Sequence, residues 1–151
     1  MEFTKLYSSL EKLKEETTPK WGRMSSSMML KHCSAFVDVY LNKTKLNPFI
    51  FIVGFVFGIF HRLYLRYIVR YNVKNYIKNL PTLKVFNTYQ SKNLDFEFEK
   101  NKLITDLKEV ESIDNKYLFN NFHGVVPNKA FKKVVYFHTS YHLYQFDVYK
   151  T

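Results

Sequence analysis

The sequence predicts an all-α fold built from four main helices. Apolar residues recur every three or four positions, the spacing of an amphipathic helix, in four stretches. These stretches run from Phe3 to about Glu16, from Met28 to about Tyr40, from Asp95 through Val110, and from near Asn128 to Gln145. The length of 151 residues suffices for one hydrophobic core. With no internal repeat or low-complexity segment, we expect a single domain over residues 1–151.

Local signals mark where these helices begin and end. Pro19 pushes the residue before it out of helical geometry, so the first helix should end ahead of it. Ser25 and Asp95 stand where the second and third helices need an N-cap, and Glu97 and Glu99 suit the positive end of the third helix dipole. One stripe of the fourth helix should face inward, and it consists of Phe131, Val134 or Val135, His138, His142 and Gln145.

The connection between the second and third helices is long and holds an ambiguous apolar segment, residues 49–60. This run falls short of the roughly 20 apolar residues that span a bilayer. Gly54 and Gly58 make a spacing that lets helices approach closely, and arginines at spacing four follow. A buried core helix and a face closed by a second subunit are the leading interpretations, with peripheral membrane contact as the alternative. Residues 71–94 show little apolar periodicity, which predicts an irregular crossover with a turn at 79–82.

A candidate metal site begins with His138 and His142. Because residues four apart lie on one helix face, both imidazoles can reach a single point. His32, on the inward face of the second helix, is the best third ligand, whereas Cys33 projects about 100° away and predicts a small buried hydrophobe. Three neutral nitrogens with an open coordination position are typical of catalytic sites. We expect a divalent ion, zinc by default, with nickel or iron as alternatives.

Several pieces of the chain resemble the DinB-like superfamily of helical-bundle metalloproteins, within it a branch of small bacterial proteins of unassigned function. The matching pieces are residues 19–25 leading into 29–32, then 79–82, then 138–146. The resemblance implies a DinB-like four-helix bundle with a long crossover between helices two and three that carries an extra helical segment. Where the family's last loop commonly carries His-Pro, this chain has His123-Gly124, in a loop from Phe119 to Pro127.

The resemblance also implies chemistry, since characterised members include thiol-using metal-dependent transferases and hydrolases. We therefore expect a metal-dependent enzyme that activates a low-molecular-weight thiol or water for S-transfer or hydrolysis on a small electrophilic substrate. Gln145 and Tyr141 are the candidate catalytic residues, and His123 is a candidate to face substrate. The alternative is a non-catalytic basic helical module that binds an acidic partner or membrane surface.

Composition limits the partners. The 23 basic and 13 acidic residues give a net charge of +10, which favours an anionic partner without naming one. The basic residues are spread along the chain and accompany no nucleic-acid-binding motif, so no specific nucleic acid is expected. A homodimer and at most peripheral membrane contact stay open. The single cysteine and charged start predict a cytoplasmic protein.

Overall fold

The computed structural model describes residues 3–44, 48–120 and 124–151. Helices dominate these residues, as the sequence predicts, and one antiparallel hairpin accompanies them. In chain order the elements are α1 (Thr4–Lys12), α2 (Ser26–Tyr40), α3 (Pro48–Tyr64), α4 (Phe96–Ser112), β1 (Tyr117–Asn120), β2 (Gly124–Pro127) and α5 (Asn128–Gln145).

The predicted caps of α2 and α4 are confirmed. The Ser25 hydroxyl accepts a hydrogen bond from the backbone N–H of Met28, at 3.2 Å, and the Asp95 carboxylate accepts one from Phe98, at 2.8 Å. Each bond satisfies a donor that the first helical turn leaves without a partner. Helix α1 ends at Lys12, earlier than expected, because the Thr17 hydroxyl takes the N–H of Lys14 and so favours a turn over another helical turn.

The core lies between α2 and its neighbours α4 and α5, with α1 packed on α5. Each helix contributes the apolar stripe that its sequence spacing predicts. Fully buried side chains include Leu6 and Leu10 of α1, Met29, Leu30 and Val37 of α2, Leu103 and Leu107 of α4, and Val135 and Leu143 of α5. This packing brings one face of α2 against one face of α5, and these are the faces that carry the candidate ligands.

The crossover between α2 and α4 is irregular after α3, as expected. Helix α3 continues into a π-helical turn, Leu65–Val69, and Arg70 then adopts a left-handed conformation with φ 55° that ends the helix. Two short 3-10 turns follow, Val73–Asn75 and Lys84–Phe86. The Thr88 hydroxyl donates to the carbonyl of Met28 at 3.1 Å, which ties the end of the crossover to α2.

Helix α3 itself corrects one expectation. Its side chains at Ile52, Phe60 and, in the following turn, Ile68 are 62%, 66% and 67% exposed. The buried-core interpretation of residues 49–60 is therefore wrong for the large apolar side chains that face solvent here, and the subunit and lipid alternatives stay open. No helix within the described ranges is long and apolar enough to cross a bilayer.

The hairpin corrects a second expectation, because the sequence predicted a loop from Phe119 to Pro127. Strand β1 pairs antiparallel with β2, with Tyr117 opposite Pro127 and Asn120 opposite Gly124. The Asn120 amide donates to the carbonyl of Tyr40 at 2.8 Å, so the hairpin is anchored to the end of α2. Burial alternates along β2, a period of two that is too short-lived in four residues to be distinguished from a loop. His123 lies outside the described residues.

Candidate metal centre

The three predicted histidines meet between α2 and α5. His138 and His142 lie one turn apart on α5, and His32 faces them from α2. The ring centroids form a nearly equilateral triangle, with separations of 5.0 Å for His32–His138, 4.7 Å for His32–His142 and 4.8 Å for His138–His142. One nitrogen from each ring lies within 4.8 Å of the others, close enough to hold a metal ion.

A backbone carbonyl fixes the orientation and tautomer of His32. Its Nδ1 lies 2.8 Å from the carbonyl oxygen of Phe86 in the crossover. A carbonyl can only accept, so Nδ1 carries the hydrogen and the Nε2 lone pair is directed at the cluster. A histidine that ligates a metal typically donates its other N–H in this way.

A side-chain amide does the same for His142. Its Nδ1 lies 2.9 Å from Oε1 of Gln145, and Nε2 of that amide donates to the carbonyl of Trp21 at 2.6 Å. Because the Trp21 carbonyl needs a donor, the amide nitrogen must face it and the amide oxygen must face His142. The Nε2 lone pair of His142 is thereby left for the cluster.

Gly22 makes room for this arrangement. It has φ +86°, a conformation that favours glycine, and a Cβ built there would lie 2.7 Å from Nε2 of Gln145. The connection before α2 can therefore approach the amide closely only because residue 22 has no side chain. Gly22 thus acts on the site through Gln145 and, beyond it, His142.

His138 is held by packing rather than by a second hydrogen bond. Its ring stacks on Phe36 with a centroid separation of 3.8 Å and an interplanar angle of 6°. Its Nε2 lies 3.2 Å from Nε2 of His32, while its buried Nδ1 has no hydrogen-bond partner among the residues that the structure describes. His138 keeps slightly more exposed surface than His32 and His142, which are both buried.

Burial keeps all three imidazoles neutral at pH 7. Desolvation lowers the pKa of His32, against a smaller opposing effect of the Phe86 carbonyl. Desolvation and then the neighbouring histidines lower the pKa of His138 far below its usual range, and desolvation with His32 lowers that of His142 to about 3. Neutral imidazole is the form that binds a metal ion.

The donor set and its spacing fit a metal ion such as zinc. Two nitrogens on a tetrahedral zinc ion, each about 2.0 Å from it, are about 3.3 Å apart. The Nε2 atoms of His32 and His138 are already 3.2 Å apart. All three ligand nitrogens lie within 4.8 Å of one another, so the third ring would have to move towards the other two to complete the set.

Tyr141 and Gln145, the candidate catalytic residues, both lie beside the cluster. The Tyr141 ring packs 5.2 Å from His142, and its hydroxyl donates a long hydrogen bond, 3.4 Å, to the carbonyl of Ile77. Burial raises the pKa of this phenol. Gln145 is buried, and both polar atoms of its amide are engaged by His142 and Trp21. A catalytic role for either residue stays a prediction.

Cys33 takes the structural role that the sequence predicted. Cys33 is fully buried, burial raises the pKa of its thiol, and its sulfur contacts that of Met29 at 3.8 Å. Asp38 accepts a hydrogen bond from Lys102 at 2.9 Å, away from the histidines.

Sequence reasoning missed the groups that orient the ligands. The carbonyls of Phe86 and Trp21 carry no side-chain signal, because any residue supplies one. The glycine that follows Trp21 was the available clue, since a glycine in a connection indicates a close approach or a left-handed turn.

A separate cleft of about 520 Å³ contains none of the three histidines. It is lined by α5, by the crossover and by the C-terminal residues after α5, through Tyr71, Asn72, Val73, Lys129, Lys133, Tyr136, Phe137, Ser140, Tyr149 and Thr151. Comparison with known proteins adds no assignment to either site: no family model, curated protein or solved structure matches this chain.

Proposed function

We propose that this chain is a DinB-like metalloprotein that binds one divalent ion, zinc by preference, through His32, His138 and His142. We propose further that it activates a thiol or water for S-transfer or hydrolysis on a small electrophilic substrate. The observation that carries the proposal is the convergence of three neutral imidazoles, two of them with their second nitrogen already bonded to an acceptor.

The arrangement of the helices supports the DinB-like part. Helices α1, α2, α4 and α5 share one core, and the crossover between α2 and α4 carries α3 as an additional segment. Ligands on α2 and α5 are the ones that the resemblance implies. The hairpin before α5 is a feature that the resemblance did not lead us to expect.

An ion bound by three histidines lowers the pKa of a water or thiol that joins it, and so supplies a nucleophile at neutral pH. The chain's own residues would prepare the site for this chemistry. Phe86 and Gln145 hold two rings in the ligating tautomer, and Phe36 holds the third by stacking. The contacts of Gln145 favour a role in positioning His142, which leaves the weakly held hydroxyl of Tyr141 as the candidate to contact substrate.

Elemental analysis of tag-free protein, purified without added metal and again after exposure to zinc, nickel or iron, tests metal binding. We expect near-stoichiometric metal that His32→Ala and His142→Ala both remove. His61→Ala is the matched control, because His61 is a partly buried histidine bonded to Tyr76, outside the cluster. Circular dichroism checks that each variant is folded. Absence of metal after all three ions are offered, or retention by both folded variants, would refute the site.

Activity requires its own assay. Metal-loaded protein is offered a panel of low-molecular-weight thiols with a chromogenic aryl halide, and chromogenic esters for hydrolysis. We expect metal-dependent turnover that His138→Ala abolishes and His61→Ala retains. Metal binding without turnover on any pair would reject the tested catalytic reactions while leaving the metal site in place.

A further inference from the structure

Helix α3 presents an apolar face that the fold does not cover. Five side chains at spacings of three or four residues define this face, called here the α3 face. With 100° of rotation per residue they fall within about 80° of arc. They are Ile52, Val56, Phe60, Leu63 and Tyr67, whose exposed fractions are 62%, 49%, 66%, 45% and 60%.

The other side of the helix attaches it to the protein. Gly58, Leu65 and Val69 lie roughly opposite the α3 face on the helical wheel and are buried. The exposed apolar surface extends beyond the α3 face through Val53, Phe57 and Ile68, which are 45%, 56% and 67% exposed, while the opposite side attaches the helix to the protein. A run of large apolar side chains on one face of a folded protein marks an interaction surface.

Charge along the chain is segregated in a way that indicates the partner. The basic residues are spread throughout, but all 13 acidic residues lie outside positions 39–94. This stretch carries nine lysines and arginines, so it accounts for nine of the ten net positive charges of the protein. Five of them recur at spacing four, beginning within the range of the α3 face and continuing past it: Arg62, Arg66, Arg70, Lys74 and Lys78.

We propose that the α3 face docks on an anionic lipid bilayer. Its apolar side chains would enter the boundary between headgroups and acyl chains, while neighbouring basic side chains contact lipid phosphates. Helices that lie in a membrane interface combine aromatic and aliphatic side chains on one face with lysine and arginine beside it. Arg66, Arg70 and Lys74 are exposed and free of nearby acidic residues in sequence, which suits them to this contact.

The geometry agrees with docking on the surface. Helix α3 and the π-helical turn that follows it carry Arg62 and Arg66, and no helix within the described ranges is long and apolar enough to cross a bilayer. Long arginine and lysine side chains can also keep their charge at the headgroup level while their stems contact apolar surface.

A second copy of the chain is a poorer occupant of the α3 face. Joining two such faces would bring two acid-free basic segments together, and like charges brought together across an interface disfavour association. Anionic headgroups neutralise the same charges. The proposal is also independent of the metal site, since none of these residues belongs to the histidine cluster.

Vesicle sedimentation tests the proposal, with phosphatidylcholine vesicles prepared with and without phosphatidylglycerol. We expect binding that requires phosphatidylglycerol and weakens as salt rises. The double substitution Ile52→Ser with Phe60→Ser should weaken it at least about tenfold, since two exposed apolar anchors are lost. Phe98→Ser is the matched control, because Phe98 is a helical phenylalanine with 64% exposure on α4. Arg66→Gln should weaken binding while Lys108→Gln, an exposed lysine of α4, should not.

Four results would overturn the proposal. These are no sedimentation with phosphatidylglycerol at low salt, equal loss with Phe98→Ser, complete competition by soluble glycerol phosphate, and a solution dimer that the α3 double variant dissociates. Soluble competition would indicate a free-anion site, and the dimer would assign the face to a second copy. His32→Ala should bind vesicles like the unmodified chain, which separates this test from that of the metal site.

Discussion

Replacing Gln145 by leucine should weaken zinc binding without removing any ligand. The substitution deletes the acceptor of His142 Nδ1, at 2.9 Å, and the donor to the Trp21 carbonyl, at 2.6 Å. Loss of a partner that orients a ligating histidine typically costs 10- to 100-fold in metal affinity. We therefore expect the dissociation constant for zinc to rise by that factor, about 1.4 to 2.7 kcal/mol.

The same substitution should lower the free energy of unfolding of the metal-free protein. Two groups lose their partner at a buried position, and each such loss costs about 1 to 3 kcal/mol. A decrease of about 2 kcal/mol or more is expected in urea unfolding. Gln145→Glu separates the two effects, because a carboxylate still accepts from His142 but repels the Trp21 carbonyl. It should restore zinc affinity and leave the protein destabilised.

Competition between the protein and a zinc-binding dye measures the affinity. Gln90→Leu is the control, since Gln90 is exposed in the crossover and the chemical change is identical. Unchanged zinc affinity in a folded Gln145→Leu variant would show that the amide does not orient His142 for a metal. An equal loss of zinc affinity in the control variant Gln90→Leu would also refute the reasoning.

Three further predictions concern the same cluster. Gly22→Ala should cost about 1 to 3 kcal/mol of stability, from its φ of +86°, and should lower zinc affinity because the new Cβ displaces the Gln145 amide. The metal-free protein should lose stability as pH falls below about 6.5, because the unfolded histidines then take up protons while folded His142, with a pKa of about 3, does not. His142→Phe should therefore reduce the slope of the free energy of unfolding against pH by up to about 1.4 kcal/mol per pH unit. Neutral His138 should donate its Nε2–H to His32 without metal and carry its hydrogen on Nδ1 with zinc, a change visible in imidazole nitrogen NMR.

Each of these predictions has an outcome against it. Gly124→Ala removes another glycine with positive φ, +64°, at the hairpin, so it should cost stability and spare zinc affinity. If both glycine variants spare zinc, the link from Gly22 to the site is wrong. A pH slope that His142→Phe leaves intact would assign it to other groups, and an Nε2–H signal on His138 in the zinc-loaded protein would exclude that nitrogen as a ligand.

The sequence was informative where spacing maps directly onto structure. His138 and His142 had to share a helix face, and the apolar stripe through Met29, Phe36 and Val39 turned His32 inward, so the cluster was predictable from periodicity. Contacts made by backbone carbonyls were not predictable, because every residue has the same carbonyl. Only the folded crossover brings the Phe86 carbonyl to His32, across 54 positions of the chain.

Two failures of prediction have separate physical causes. A continuous apolar run such as residues 49–60 has the same sequence pattern whether it packs inside the protein or is exposed on the surface to bind a partner. Composition alone therefore could not show that Ile52 and Phe60 within this run are exposed. In the hairpin, four residues per strand give too few alternations to outweigh the polar residues between them.

The ligands of the cluster come from near the two ends of the chain, 106 positions apart. An ion bound there would act as a clasp between the first and last parts of the fold, and it would bind the folded chain far better than the unfolded one. At a free metal concentration one hundred times the dissociation constant, such a clasp adds about 2.7 kcal/mol to stability. The resistance of this protein to proteolysis should then follow the supply of metal in its surroundings, so its abundance in a cell would record that supply even when no substrate is present.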